Sequence, residues 1–406
     1  MKKEINKMLL AGIILAAAGL ITYVVAGLLH SVAPMIVGVA LIVIGAVIAI
    51  LHLDEFKGVL DRIKRINNHT ILLLITVVLF IVLYGVGYIS YGVINVKGFE
   101  KLQTFLDIFR ENAALICIAC GMTCVMLTGG IDISVGSVVA MDCMILAVGM
   151  EYNGMSPTVL VPMVLIIGIV FGAVIGYLVG YLGIQPFIAT MAGMFFARGM
   201  TAMICTDQVN ITVQNWFKEM AAVKIYMPFE LGVVVNKRGV KMVPYVGWPV
   251  IIALIVVVLV FLMLRYTRLG RSMYAVGGSQ TSAALMGLNV KRTKMITYIL
   301  SSFLCSIGGI LYCMNTMCGT TTQALGLEMK AISSAVIGGT LLTGGVGNVI
   351  GSFFGVLING TITTLVSYNA DLSRLGGTVP NVVSAFLLFL FIMLQTIFAK
   401  LRERKK

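Results

Sequence analysis

Leu127-Thr128-Gly129-Gly130-Ile131-Asp132-Ile133-Ser134-Val135-Gly136 interrupts two long apolar runs with glycine and a carboxylate. An acidic side chain between apolar runs is expensive unless it faces a cavity, a partner or water. Glycine tolerates backbone angles that other residues resist, so the string reads as a break between helices. An apolar echo follows at Leu342-Thr343-Gly344-Gly345-Val346-Gly347. The candidates for these breaks, or for the lining of a path beside them, are Thr128, Gly129, Gly130, Asp132, Ser134, Gly338, Gly339, Thr343, Gly344 and Gly345.

Composition fixes the class. Apolar residues make up 59% of 406 and charged residues 11%, against about 45–50% and 25% in soluble domains. No soluble core hides that much apolar surface, so the reading is an all-α polytopic membrane protein. Forty-four glycines suit that class, because glycine lets membrane helices approach closely. Runs of about 20 apolar residues give twelve expected spans. They lie near 9–29, 33–51, 71–92, 110–128, 133–150, 159–182, 187–204, 248–264, 295–315, 331–347, 349–370 and 378–399. The tenth is glycine-rich and reads equally as a broken or re-entrant element. The apolar stretch from Met8 to Leu29 exceeds the core of a signal peptide and reads as a retained helix.

The net charge of +13 is not gathered into an aromatic-lined groove, which argues against nucleic acid. With the N-terminus inside, segments 1–8, 52–70, 265–294 and 400–406 carry 18 basic and 5 acidic residues. The outer segments, counted with Arg110 and Glu111 at the edge of the fourth span, carry 10 and 9. That is the positive-inside pattern, with both termini cytoplasmic. Within the spans stand Asp132, Asp142 and Arg198. Asp132 either lines a route or accepts from freed amides at a helix start, and the second is favoured near a helix N-terminus. Asp142 calls for a partner, for which Arg198 is the candidate.

The basic loop 265–294 contains a short expected helix. Ser279 is a good N-cap type, Gln280 to Met286 follow, and Gly287 ends the run. Ala283, Met286 and Gly287 are expected to share one face, small enough to enter a partner's groove.

These strings together resemble the permease subunits of ABC-type sugar importers, the branch carrying ribose, xylose and galactose, over roughly residues 105 to 400. The carriers are the two Leu-Thr-Gly-Gly strings, the stretch from Ala331 to Gly360, and Tyr274-Ala275-Val276-Gly277-Gly278 with Leu285-Met286-Gly287-Leu288. Ala192-Gly193-Met194-Phe195-Phe196-Ala197-Arg198-Gly199 leans towards the galactofuranose type. The resemblance implies a core of about ten helices in 66–406, preceded by an added two-helix segment with a charged joint in 1–65. It also implies an ATPase-coupling loop at Gly277, Gly278, Ser279, Ala283, Ala284, Met286 and Gly287. The implied partners are a separate ATPase that binds ATP and magnesium, a second permease and an extracytoplasmic sugar-binding protein in the cell membrane. Many relatives carry Glu-Ala-Ala where this chain has Thr281-Ser282-Ala283.

Rival readings are nucleoside or branched-chain amino-acid import in the same superfamily, and proton-coupled secondary transport outside it. No phosphate-cradling loop, metalloprotease string or nucleophile elbow occurs, so the chain reads as a transport subunit without a catalytic site or resident cofactor. Cys117, Cys120 and Cys124 fall at helical spacing without the fourth ligand zinc wants, and read as core. Cys205 and Cys318 fall near the outer face, where a disulfide is conceivable. The sequence does not name the sugar, nor does it choose between homodimer and heterodimer.

Overall fold

The computed structural model describes residues 68–94, 98–99, 101–227, 233–235, 241–368 and short pieces between 380 and 389. The expected spans at 9–29 and 33–51, most of 378–399 and the boundary at 65/66 lie outside them. The chain divides into two compact units, one of 1–101 with 358–387 and one of 102–357 with 388–406. In the first, α1 (Asn68–Gly87) runs into a π-helical turn, Tyr88–Ile94. Tyr84 and Tyr368 each bring a ring to 5.3 Å from Phe99.

The second unit is built from α2 (Leu102–Leu127), α3 (Val135–Glu151), α4 (Pro157–Gly180) and α5 (Pro186–Ile204). A segment follows that holds β1 (Val209–Asn210), α6 (Trp216–Ala222), β2 (Lys224–Tyr226), β3 (Val234–Val235), β4 (Lys241–Met242) and β5 (Tyr245–Gly247). Then come α7 (Trp248–Tyr266), α8 (Arg268–Gly278), α9 (Gln280–Leu285), α10 (Val290–Thr316), β6 (Cys318–Gly319) and α11 (Leu327–Ile337). The last element, α12 (Val349–Tyr368), begins in this unit. Three antiparallel pairs, β1 with β6, β2 with β5 and β3 with β4, are the sheets among the described residues. Seven described helices are long and apolar enough to cross a membrane. The fold is all-α and polytopic.

Eight of the expected spans coincide with described helices, and the tenth does not. Instead of spanning 331–347, α11 has 11 residues, about 16 Å at 1.5 Å per residue, too short for a hydrocarbon core of about 30 Å. Gly339 stops it with φ +90, while the amides of Gly339 and Thr340 bond the carbonyls of Val336 and Ala335. That is the left-handed C-terminal cap that glycine accepts without a Cβ penalty. The segment is a broken element, tolerated where protein surrounds it, and Gly338 and Gly339 are both buried.

The centre of this unit is α10, which presents polar and small residues to several neighbours. On one side α4 offers Gly168, Gly172, Gly176 and Gly180, one per turn. A Cβ on Gly172 would lie 2.6 Å from the carbonyl oxygen of Tyr298, and one on Gly176 would lie 2.7 Å from that of Met295. Bare backbone is therefore what brings the two helices together, as lipid-embedded helices require. On its other sides α10 meets α2, where Ser301 backs Gly121, and α3, where Gly309 lies against Asp142. From Ala113 to Leu127, α2 is buried at every position, as befits a helix enclosed by others.

Replacing Gly172 with Val is therefore expected to separate α4 from α10, at a cost of about 1–3 kcal/mol or more. Gly85→Ala, where a Cβ meets nothing within 4 Å, is the matched control. Thermal unfolding in detergent should show a clear loss for the first and little for the second.

Candidate functional site

Three glycine-bearing segments meet at one point, and their backbones make the contact. The first is the end of α2. Gly129 takes φ +76, and the amides of Gly129 and Gly130 bond the carbonyls of Met126 and Val125. This is again a left-handed cap. The second is the turn 343–346, where Gly344 and Gly345 have φ +88 and +73. Two successive positive φ values mark the tight turn that glycine serves best. The amide of Gly345 donates to the carbonyl of Leu127 at 2.9 Å. The third is the end of α8: a Cβ on Gly277 would collide with the Leu127 oxygen and the Gly345 nitrogen. Gly277 thus lies directly on the bond that joins the other two. A further tie runs from the Tyr274 hydroxyl to the Gly347 carbonyl at 2.9 Å.

Beyond the junction, Ser279 accepts from the Ser282 amide at 3.2 Å and starts α9. Gly287, at φ +81, closes it with amide bonds from Gly287 and Leu288 to the carbonyls of Ala284 and Ala283. One face differs from the expectation. Ala283 is fully buried, whereas Leu285 and Met286 are 89% and 69% exposed. The small residue packs inward on its own chain, and the projecting knob is apolar and large. Gly278, Ala284 and Gly287 are exposed beside it.

The other break residues are mostly sealed in. Asp132 is 1% exposed. One of its carboxylate oxygens accepts from the Ser134 amide at 3.1 Å and the Ser134 hydroxyl at 2.6 Å. The other accepts from the Ser301 hydroxyl at 3.1 Å. The residue therefore holds the start of α3 and pins it to α10. Thr128 donates to the Val125 carbonyl at 2.8 Å. Gly130 leaves room for the Tyr298 hydroxyl, 2.5 Å from where its Cβ would stand, and Gly338 packs on the Gly351 backbone. Only Gly129 and Thr343 of this set are exposed.

Arg198 does not pair with Asp142. Its Nη1 donates to the carbonyls of Thr321 and Gln323 at 2.9 and 2.8 Å. The Asp142 carboxylate, wholly buried between α3 and α10, has no hydrogen bond among the described residues. The eight cysteines are all free thiols, Cys205 and Cys318 included. No group of three metal-ligating side chains occurs among the described residues.

Residues 104–395 match the family described as a branched-chain amino acid transport system permease component. The inner membrane ABC transporter permease protein YjfF of Escherichia coli is 38% identical over 80% of this chain and 91% of its own length. The fructose import permease protein FruG of Bifidobacterium longum is 38% identical over 75% and 85%. The ribose import permease protein RbsC of Escherichia coli is 36% identical over 64% and 77%. The chain belongs to the sugar-type ABC importer permeases. Amino-acid import, although in the family's description, is not favoured, because two of these relatives are sugar permeases by name. No solved structure matches this permease.

At the other end of the permease, the segment after α5 is laced to the helices. Glu151 accepts from the amides of Thr212 and Val213 at 2.7 and 3.2 Å, and from the Thr212 hydroxyl. Trp216 donates to the Thr158 hydroxyl at 3.0 Å, and Arg110 donates to that of Tyr245 at 2.9 Å. These ties have no spacing signature in the sequence and were not among its candidates. Glu151→Gln removes a charge-assisted set and is expected to speed limited proteolysis between residues 205 and 223 several-fold. An unchanged cleavage rate would show that Glu151 does not hold this segment.

Proposed function

We propose that this permease is one half of a two-permease importer in the cell membrane, with both termini cytoplasmic. A binding protein delivers a monosaccharide from outside, and a separate ATPase subunit supplies the work. The supporting observation is the junction of Gly277, Leu127 and Gly345. Leu285 and Met286 offer an apolar knob two turns beyond it, suited to a groove in the ATPase. Because a hydrogen bond and bare backbone join the end of α8 to two helix breaks, a push on the knob reaches α2 and the 343–347 turn without passing through flexible side chains. Asp132 and Ser301 carry it on to α3 and α10. Packed elements with few stable arrangements convert small shifts into discrete ones.

Proton-coupled transport has less support: the relatives named above are an ABC transporter permease and sugar import permeases, and of the two buried carboxylates Asp132 is taken up by three hydrogen bonds within the protein. The extra segment 1–65 is proposed as an addition to the ten-helix core.

Two measurements test this. In proteoliposomes, the permease with its ATPase and binding protein should accumulate sugar only with ATP. The permease alone should be idle, and proton-driven accumulation by it would refute the reading. Gly277→Val is expected to lower uptake at least tenfold while ATP hydrolysis continues. Uptake and hydrolysis at normal ratio in that variant would remove the junction from the mechanism.

A further inference from the structure

Residues 265–294 carry six basic side chains and no acidic one. The ion pair among the described residues is that of Arg110 with Asp107, so none of the six meets a carboxylate there. Three of them, Arg265, Arg268 and Arg271, gather where the α7 span ends and α8 begins.

Backbone contacts fix that corner. A Cβ on Gly270 would collide with the Leu264 backbone, so the first turn of α8 is folded back on the last turn of α7. The Thr267 hydroxyl donates to the Met263 carbonyl at 2.7 Å and accepts from the Gly270 amide at 3.2 Å. Arg271 donates from Nη1 to the Tyr266 carbonyl at 3.3 Å. From the other side, the Arg265 guanidinium stands 5.8 Å from the Tyr266 ring centroid and 5.9 Å from that of Phe261, within cation–π reach. Tyr266 thus holds one guanidinium at its carbonyl and another at its ring.

Positive charge is in excess at this place. Arg271 serves the carbonyl end of α7, where a cation is favoured. Arg265 and Arg268, however, donate no hydrogen bond among the described residues, and all three arginines are exposed. Arg268 and Arg271 also stand in the first turn of α8, the positive end of its dipole, where a cation is disfavoured unless an anion offsets it. A phosphodiester would do so, because guanidinium forks match phosphate oxygens.

The surface leading to the corner indicates what carries the phosphate. Ile255, Leu259, Leu262 and Tyr266 on α7 are all exposed and stand at i, i+4, i+7 and i+11, one stripe of a helix. The stripe is apolar along the span and reaches the arginines at its end. Acyl chains fit the first part and an anionic headgroup the second.

We propose that the α7–α8 corner is a binding site for an anionic phospholipid, whose phosphate is held by Arg265 and Arg268 and whose chains lie along Ile255, Leu259 and Leu262. The site is separate from solute import and does not depend on which solute is carried. Because α8 also carries Gly277, the bound lipid steadies the helix that makes the three-segment joint.

The test uses the purified full-length permease and native mass spectrometry, with phosphatidylglycerol and phosphatidylcholine as competing probes. The wild type is expected to retain phosphatidylglycerol at least tenfold over phosphatidylcholine, since each arginine at a membrane surface contributes about fivefold. Arg265→Gln with Arg268→Gln should abolish that preference, while Arg265→Lys with Arg268→Lys, which keeps the charge, should preserve part of it. Arg292→Gln, an exposed cation away from the corner, is the control for net charge. An unchanged preference in the double glutamine variant, or an equal loss in Arg292→Gln, would overturn the site. Displacement of the lipid by millimolar inorganic phosphate would make it a site for free phosphate and overturn the lipid. A wild type without preference, whose double glutamine variant fails to bind the ATPase subunit, would give the arginines to a protein interface instead.

Discussion

The hydrogen bond from the Gly345 amide to the Leu127 carbonyl, with Gly277 packed upon it, is the constraint on which the rest depends. Three chain segments far apart in sequence touch there through backbone alone. No side chain fits at Gly277 without displacing the bond. Both partners are already at special conformations, a left-handed cap at Gly129 and a two-glycine turn at Gly344 and Gly345. In such a joint the parts have few ways to move independently. That property suits the drive by a separate ATPase proposed for this permease.

Behind the joint stands a frame that resists shear. The Gly168-Gly172-Gly176-Gly180 stripe brings α4 onto α10 with contacts near the van der Waals limit. The Asp132 carboxylate bridges Ser134 and Ser301. Without a hydrophobic force between helices in lipid, close packing and interhelical hydrogen bonds provide the association. The joint and the frame share residues 127–136, so the string that breaks two helices also fastens them.

Much of this was legible in the sequence, and its omissions have physical causes. Apolar run length located the spans because the hydrocarbon core demands it. It left 331–347 open between a span and a broken element, because Gly338 and Gly339 are as compatible with a span as with its end, and the structure has the broken element. Helical spacing found α9 but put Ala283 on one outer face with Met286 and Gly287, whereas the helix ends at Leu285 and leaves those two beyond it while Ala283 turns inward. The α4 stripe is plain in the sequence. Its partner positions on α10, Lys291, Met295, Tyr298 and Ser302, carry no matching mark, so the contact itself was not. The pairing of Arg198 with Asp142 followed charge alone, whereas Arg198 found backbone carbonyls, which no sequence pattern announces.

If the joint transmits motion as one body, residues on either side of it keep their separation through the transport cycle. The direct measurement is the distance between spin labels at Leu285 and Thr343, both exposed, in the assembled importer with and without ATP. The account predicts an unchanged 285–343 distance while that from 285 to a label at Tyr152 shifts. A 285–343 distance that changes with nucleotide, or a 285–152 distance that does not, would contradict it.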